Sequence, residues 1–222
     1  AGEYPTPHFA RMDQETGQIS VPDDLFGGEF AVGFSEYDGF GTSSALIIQG
    51  HEALDPNTWL EEATVRLYRI DDGSFAEVTD VTRTLVEPNV FALRPRLPLH
   101  HSALYAVTVS RQATASGLPF GPELHSIAGM LQNDLQQGVE SAIRSLANSE
   151  AAQIEQERVL LNPLLQYLEE NGIDRSSLAA AFPFPTTTAP QWGEKKRDQL
   201  YEESVPTAVT NVVVATPAER GL

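Results

Sequence analysis

Between residues 42 and 110 the chain is a series of short β-type runs about 10 residues apart, and this spacing restricts the fold more than any other feature. "SALIIQ" is a compact apolar run. "ATVRLYRI" alternates, with Val65, Leu67 and Ile70 broadly inward and Arg66 and Arg69 outward. "DDGS" (71–74) supplies a hairpin turn, with glycine where the backbone takes a positive φ. "FAEVTDVTRTL", "NVFALRP" and "LYAVTVS" complete five or six strands. Such spacing predicts a mainly β fold, an Ig-like antiparallel β-sandwich. In "LPLHHSALYAVTVS" a proline-containing turn leads into Tyr105 at a strand start. A tyrosine there either bonds back to the upstream turn, the tyrosine corner of Ig-like domains, or is an ordinary strand aromatic.

After "SGLPFGPE" the period changes. Leu124, Ile127, Ala128, Leu131, Leu135, Val139, Ala142 and Leu146 recur at spacings of three and four, predicting an amphipathic helix over 123–147. A second helical run, about 149–171, carries Ile154, Leu161, Leu164, Leu165 and Leu168 and stops at "ENG". Pro163 inside it predicts a kink or break near 162. "DRSSLAAAF" reads as a short third helix capped by Asp174, and "PFPTTT" as extended chain. The expected organisation is an extended N-terminal segment (1–35), the sandwich (36–122), a helical insertion (123–181) and a closing strand (182–192). A connector and a β-rich run (193–222) follow, pairing with the sandwich edge or beginning a further domain.

The formal net charge is -17, and residues 1–62 carry twelve acidic residues against Arg11 alone. Such a surface repels phosphate backbones and anionic membranes, so nucleic acid is not an expected partner. No apolar run approaches the roughly 18 residues of a membrane span. With no cysteine, disulfides, thiolate metal sites and a cysteine nucleophile are excluded. The chain starts without Met, as expected of an exported protein trimmed of its targeting segment.

"YDGFGTSSALIIQGHEALDP" (37–56) places Ser43, Ser44, His51 and Asp55 within thirteen residues. A hydrolase serine needs a strand–elbow–helix with G-x-S-x-G, which occurs nowhere here. Ser43 and Ser44 precede an apolar strand, and His51 follows it at roughly 20 Å by strand rise. No triad is expected. His100 and His101 are read as turn residues, and His8 and His125 lack obvious partners. Asp71–Asp72 and Glu61–Glu62 fit no D-x-D-x-D-G loop. Asp23–Asp24, before "LF" in an unpatterned segment, is the one place where calcium is considered, against a plain solvated acidic surface. No cofactor motif is present and no catalytic residue is assigned.

The N-terminal "PHFARMDQETGQISVPDDLF" resembles the opening of the bacterial virulence factor lipase N-terminal family, a phrase like F-D-P-x-x-G-x-(L/I)-P-x-P-N-D-L-L-F. Phe9, Gly17, Ile19, Pro22, Asp24, Leu25 and Phe26 stand at matching places. Asp23 replaces the family's Asn, and "FAR" its F-D-P. "YDGFGTSSALII" looks like the L-D-G-(F/W)-S-T-T-A-P-I segment through Asp38, Gly39, Phe40, Thr42, Ser43, Ala45 and Ile47. "LRPRLPLHHSALYAVTVSRQATASGLPF" is similar to the P-x-x-P-L-x-x-x-T-x-Y-x-V strand, and "FPFPTTT" to a closing strand ending in F-T-T. The helical insertion is larger than the family pattern.

The resemblance implies an Ig-like module, close to the Big-5/S-layer type, at the start of an exported or surface-anchored bacterial lipase-like protein. An α/β-hydrolase domain holding the G-x-S-x-G usually follows in such proteins. The expected role is therefore a non-catalytic scaffold or binding module whose partner is a neighbouring hydrolase-like domain or another protein, met through the helical insertion. Two alternatives stand beside it: a fragment or subunit whose active site lies in another domain or chain, and an adhesin or S-layer-type module.

Overall fold

The chain divides into two compact units, Ala1–Thr188 and Ala189–Leu222. The computed structural model describes residues 39–121, 130–137, 140–143 and 147–188, with short strands at Gly2–Tyr4, Arg11–Met12 and Ile19–Ser20. All of these lie in the first unit. Asp23–Asp24, His8, His125 and the run at 205–216 fall outside the described residues, so the expectations placed on them do too.

Two four-stranded antiparallel sheets form the body. The first has the order β1 (Gly2–Tyr4), β4 (Leu46–Gln49), β8 (Val90–Pro95), β7 (Val81–Glu87). The second has the order β14 (Leu178–Pro185), β9 (Leu104–Ser110), β5 (Val65–Asp71), β6 (Ser74–Glu77). Separate pairs join β2 (Arg11–Met12) to β3 (Ile19–Ser20) and β10 (Thr114–Ala115) to β11 (Leu118–Pro119). The N-terminal segment thus also supplies β1, an edge strand of the first sheet.

One hydrophobic core is shared by both sheets. Leu46, Ile48, Phe91 and Leu93 enter it from the first, and Val65, Leu67, Val107 and Phe182 from the second. The helix α1 (Pro56–Trp59) adds Trp59, fully buried against Phe91 and Phe120. Its indole N–H donates to the Thr114 carbonyl at 2.9 Å, so the one polar atom of the ring is satisfied.

The second sheet is covered on its other face as well. Tyr68 and Ala106 lie beneath α2 (Asn148–Glu170), whose Leu161, Leu164, Leu165 and Leu168 are buried there. Ile70 joins this helix-covered group, not Val65 and Leu67 as expected. Strand side chains alternate, so position 70 shares a side with 68. The Asp72-Gly73 hairpin between β5 and β6 forms as predicted, with Gly73 at φ 75°.

α2 ends as the Asn-Gly pair requires. Gly172 takes φ 83°, its amide donates to Glu169, and the Ile173 amide reaches back to Leu168 at 2.8 Å. Ile173 also packs beside Leu168, closing the cap with an apolar contact. Pro163 does not break the helix, which runs unbroken through it. The proline is exposed, as is Val159, whose carbonyl loses its partner. Water can take that carbonyl while the leucine face holds the helix in place.

Two helical expectations fail. Over 130–143 the described residues form bends and the short pair β12 (Gln136–Gln137) and β13 (Glu140–Ser141), not a helix. Side chains of α2 bind this segment's backbone instead. The Leu135 amide donates to Glu155 at 2.8 Å, and Arg158 donates to the Gln132 carbonyl at 3.2 Å. The third helix shrinks to a 3₁₀ turn at Arg175–Ser177, and Asp174 makes no side-chain cap. "LAAAF" instead opens β14, so the closing strand starts at Leu178.

Alanine favours helix only weakly, and here packing decides. Ala179 and Ala180 reach the shared core while Leu178 and Ala181 face α2. A register shift between Leu178 and Ala180 puts two successive alanines on one side. The small side chains let α2 lie close over the strand.

Candidate functional site

Three chain segments that are far apart in sequence, 39–42, 98–105 and 184–187, meet in one place. The Phe40 amide donates to the Pro185 carbonyl at 2.9 Å, and the Thr187 amide to the Phe40 carbonyl at 3.0 Å. The two segments approach so closely that a Cβ on Gly39 would stand 2.4 Å from the Thr186 carbonyl carbon. Only glycine fits there. The Leu99 amide donates to the Thr42 carbonyl at 2.9 Å, tying in the 98–105 turn.

Thr186, almost fully buried, fixes that turn from the other side. Its hydroxyl donates to the His100 carbonyl at 2.6 Å and accepts from the Ala103 amide at 3.0 Å. The Tyr105 hydroxyl accepts from the His100 amide at 3.0 Å, so the tyrosine bonds back to its upstream turn as one sequence reading has it. Burial pushes the Tyr105 phenol above its ordinary pKa. Its ring stacks on Phe184 at 5.8 Å, and Phe184 meets Phe40 edge-on at 6.2 Å. The Thr186 and Tyr105 hydroxyls both hold backbone.

The triad candidates are not assembled. Ser43 and Ser44 precede β4 and His51 follows it. Asp55 caps α1, accepting from the Asn57 amide at 2.9 Å. His100 and His101 lie in the turn, with His101 Nδ1 3.2 Å from the Thr187 carbonyl. Asp71 pairs with Arg69 at 2.6 Å, and Asp72 is a turn residue. Glu61 and Glu62 are exposed and are used here through their carbonyls, which accept from the Thr64 amide and from Arg83. Among the described residues no group of three or more His, Asp or Glu could hold a metal ion.

Two polar clusters lie beside α2, and sequence reasoning named neither. Arg158, 5% exposed, bonds Glu155 and Asp134 and so fastens the 130–137 segment to the helix. The Arg158 guanidinium holds the Glu155 carboxyl below its usual range despite partial burial. The Glu155–Arg158 spacing of three on a helix was a visible signal. On β5, Arg66 stands beside the Tyr68 hydroxyl, whose pKa is raised by burial more than the cation lowers it. Alternation along β5 puts 66 and 68 on one side, but only α2 makes that side an interior.

An open groove of about 730 Å³ runs between α2 and the β5–β6 hairpin. Val159, Leu160 and Pro163 line one wall, and Ile70, Phe75 and Leu104 the other. Val159 and Leu160 are 57% and 46% exposed. The chain matches no protein-family model, and it shows no significant similarity to a curated protein.

Proposed function

We propose that this chain is a non-catalytic, Ig-like β-sandwich module of an exported bacterial lipase-like or surface protein, serving to position a neighbouring domain or partner. One observation carries the reading. The phrases that resemble the lipase N-terminal family, around Gly39-Phe40, 98–105 and 184–187, meet in a single clamp. The Thr186 and Tyr105 hydroxyls there are engaged with backbone, which is what a fold-defining signature requires and what a reacting centre does not. A tyrosine bonded back to its upstream turn is also a feature of Ig-like sandwiches.

The helical insertion supplies the contact face in this reading. Val159 and Leu160 leave an apolar stripe beside the β5–β6 hairpin, suited to an α/β-hydrolase-like neighbour or another protein.

The experiment is an esterase assay with short and long p-nitrophenyl esters. The reading expects no turnover above that of the Ser43→Ala/Ser44→Ala double variant. Turnover abolished by either single substitution would overturn it.

A further inference from the structure

The open groove between α2 and the β5–β6 hairpin joins exposed apolar surface to charge of one sign. Val159 and Leu160 stand exposed on the helix wall, with Phe75 half-buried on the other. Asp71 and Asp72 line the hairpin side, and among the described residues no Lys, Arg or His lines the groove. Arg69 already holds Asp71 at 2.6 Å. Asp72 is exposed and has no side-chain partner among the described residues.

Pro163 adds an acceptor on the helix side. It has no N–H to return to the Val159 carbonyl one turn back, and both residues line the groove. An interior proline weakens a helix, yet α2 carries this one on the groove wall. The carbonyl it frees is left to water or to a donor brought by a guest. An apolar surface with acceptors on both walls selects a guest that is apolar and cationic.

We propose that this groove receives an arginine-bearing apolar segment of a partner protein. Its apolar residues lie against Val159, Leu160 and Phe75, and its guanidinium meets the Asp72 carboxylate and the Val159 carbonyl. Arginine suits the groove better than lysine, because its five donors serve several acceptors and its planar head is less strongly hydrated. The net charge of -17 draws such a segment in and disfavours an acidic one. The inference deepens the contact-face reading above and rests on it, since it states what chemistry the neighbour presents there.

The test is an amide-resolved NMR titration of the full chain with the peptide acetyl-Leu-Leu-Arg-Leu-amide. The control peptide carries citrulline, the neutral isostere, in place of arginine. Saturable shifts at the Asp72, Phe75, Ala103 and Leu160 amides are expected, with the arginine peptide bound at least about fivefold more tightly than the control. Asp72→Asn keeps a residue suited to the Asp-Gly turn and should abolish that difference. Pro163→Ala returns an N–H to the Val159 carbonyl. It should raise the melting temperature and still weaken the arginine peptide several-fold, whereas a proline with no part in binding would change stability alone. Equal affinity for the two peptides, shifts that do not saturate, or unchanged affinity in either variant would overturn the proposal. Such a failure leaves the non-catalytic reading standing, because that reading turns on the esterase assay.

Discussion

The hydroxyl of Thr186 and the carbonyl of His100, 86 residues apart, are joined at 2.6 Å, and the Ala103 amide donates to the same hydroxyl. A single buried side chain thus holds the turn that leads into β9. Thr186→Val keeps the shape and leaves both backbone groups without this partner. Stability should fall by about 2 kcal/mol. Urea unfolding with an unchanged m-value is the check; a loss within error of zero would show that the turn holds itself.

Gly39→Ala should be costlier than its size suggests. The new methyl would meet main-chain atoms of Thr186 and Thr187 at 2.4–2.6 Å, and backbone yields less readily than a side chain. About 2 kcal/mol or more of destabilisation is expected. Gly121→Ala, at a position with open space around the added Cβ, is the control for thermal melting.

Arg158→Met should free the 130–137 segment while α2 persists. Its loss leaves Glu155 without its cation, at a cost of about 2 kcal/mol, less than for a wholly buried pair because Asp134 is on the surface. Exchange of the Leu135 amide, which donates to Glu155, should accelerate most. The Glu155 carboxyl is lowered in the folded state, chiefly by its bond to Arg158. Its contribution is therefore present above the ordinary carboxylate pKa and lost as pH falls through the lowered folded value. Glu155→Gln should flatten that acid limb; an unchanged acid limb would count against the pairing.

At the alkaline end the sign reverses. Tyr68 and Tyr105 are both raised above 10.0, mainly by burial. Their protonated forms favour the folded state, so the stability they contribute is complete below pH 10.0 and lost as pH rises through the folded values. The phenolate absorbance of these two should rise only above pH 10.0. Unfolding should accompany that rise and weaken in Tyr68→Phe.

Much of this was legible because period reports facing. Alternation in "ATVRLYRI" and "LYAVTVS" marked β5 and β9, Gly73 marked the β5–β6 turn, and Asn171-Gly172 marked the end of α2. These are local matters of backbone freedom and side-chain direction, which neighbouring residues determine. Position 105 announced a tyrosine able to reach back five residues, and it does so.

Other assignments depended on what each segment packs against. "FAEVTDVTRTL" reads as one strand, yet β6 and β7 belong to different sheets. "LAAAF" has helical propensity, but a strand under α2 needs small residues on one side and core on the other. The 123–147 stripe looked helical, but over its described residues α2 supplies the partners that helical bonds would have provided. The clamp was hidden for the same reason. Gly39, His100 and Thr186 are ordinary residues in their own neighbourhoods, and only chain crossing brings them within bonding distance. Sequence alone determined β5, β9, the turn at Gly73 and where α2 stops; tertiary structure decided the remaining strand boundaries, sheet membership, the fate of the alanine run and the clamp, because long-range pairing has no local period to announce it.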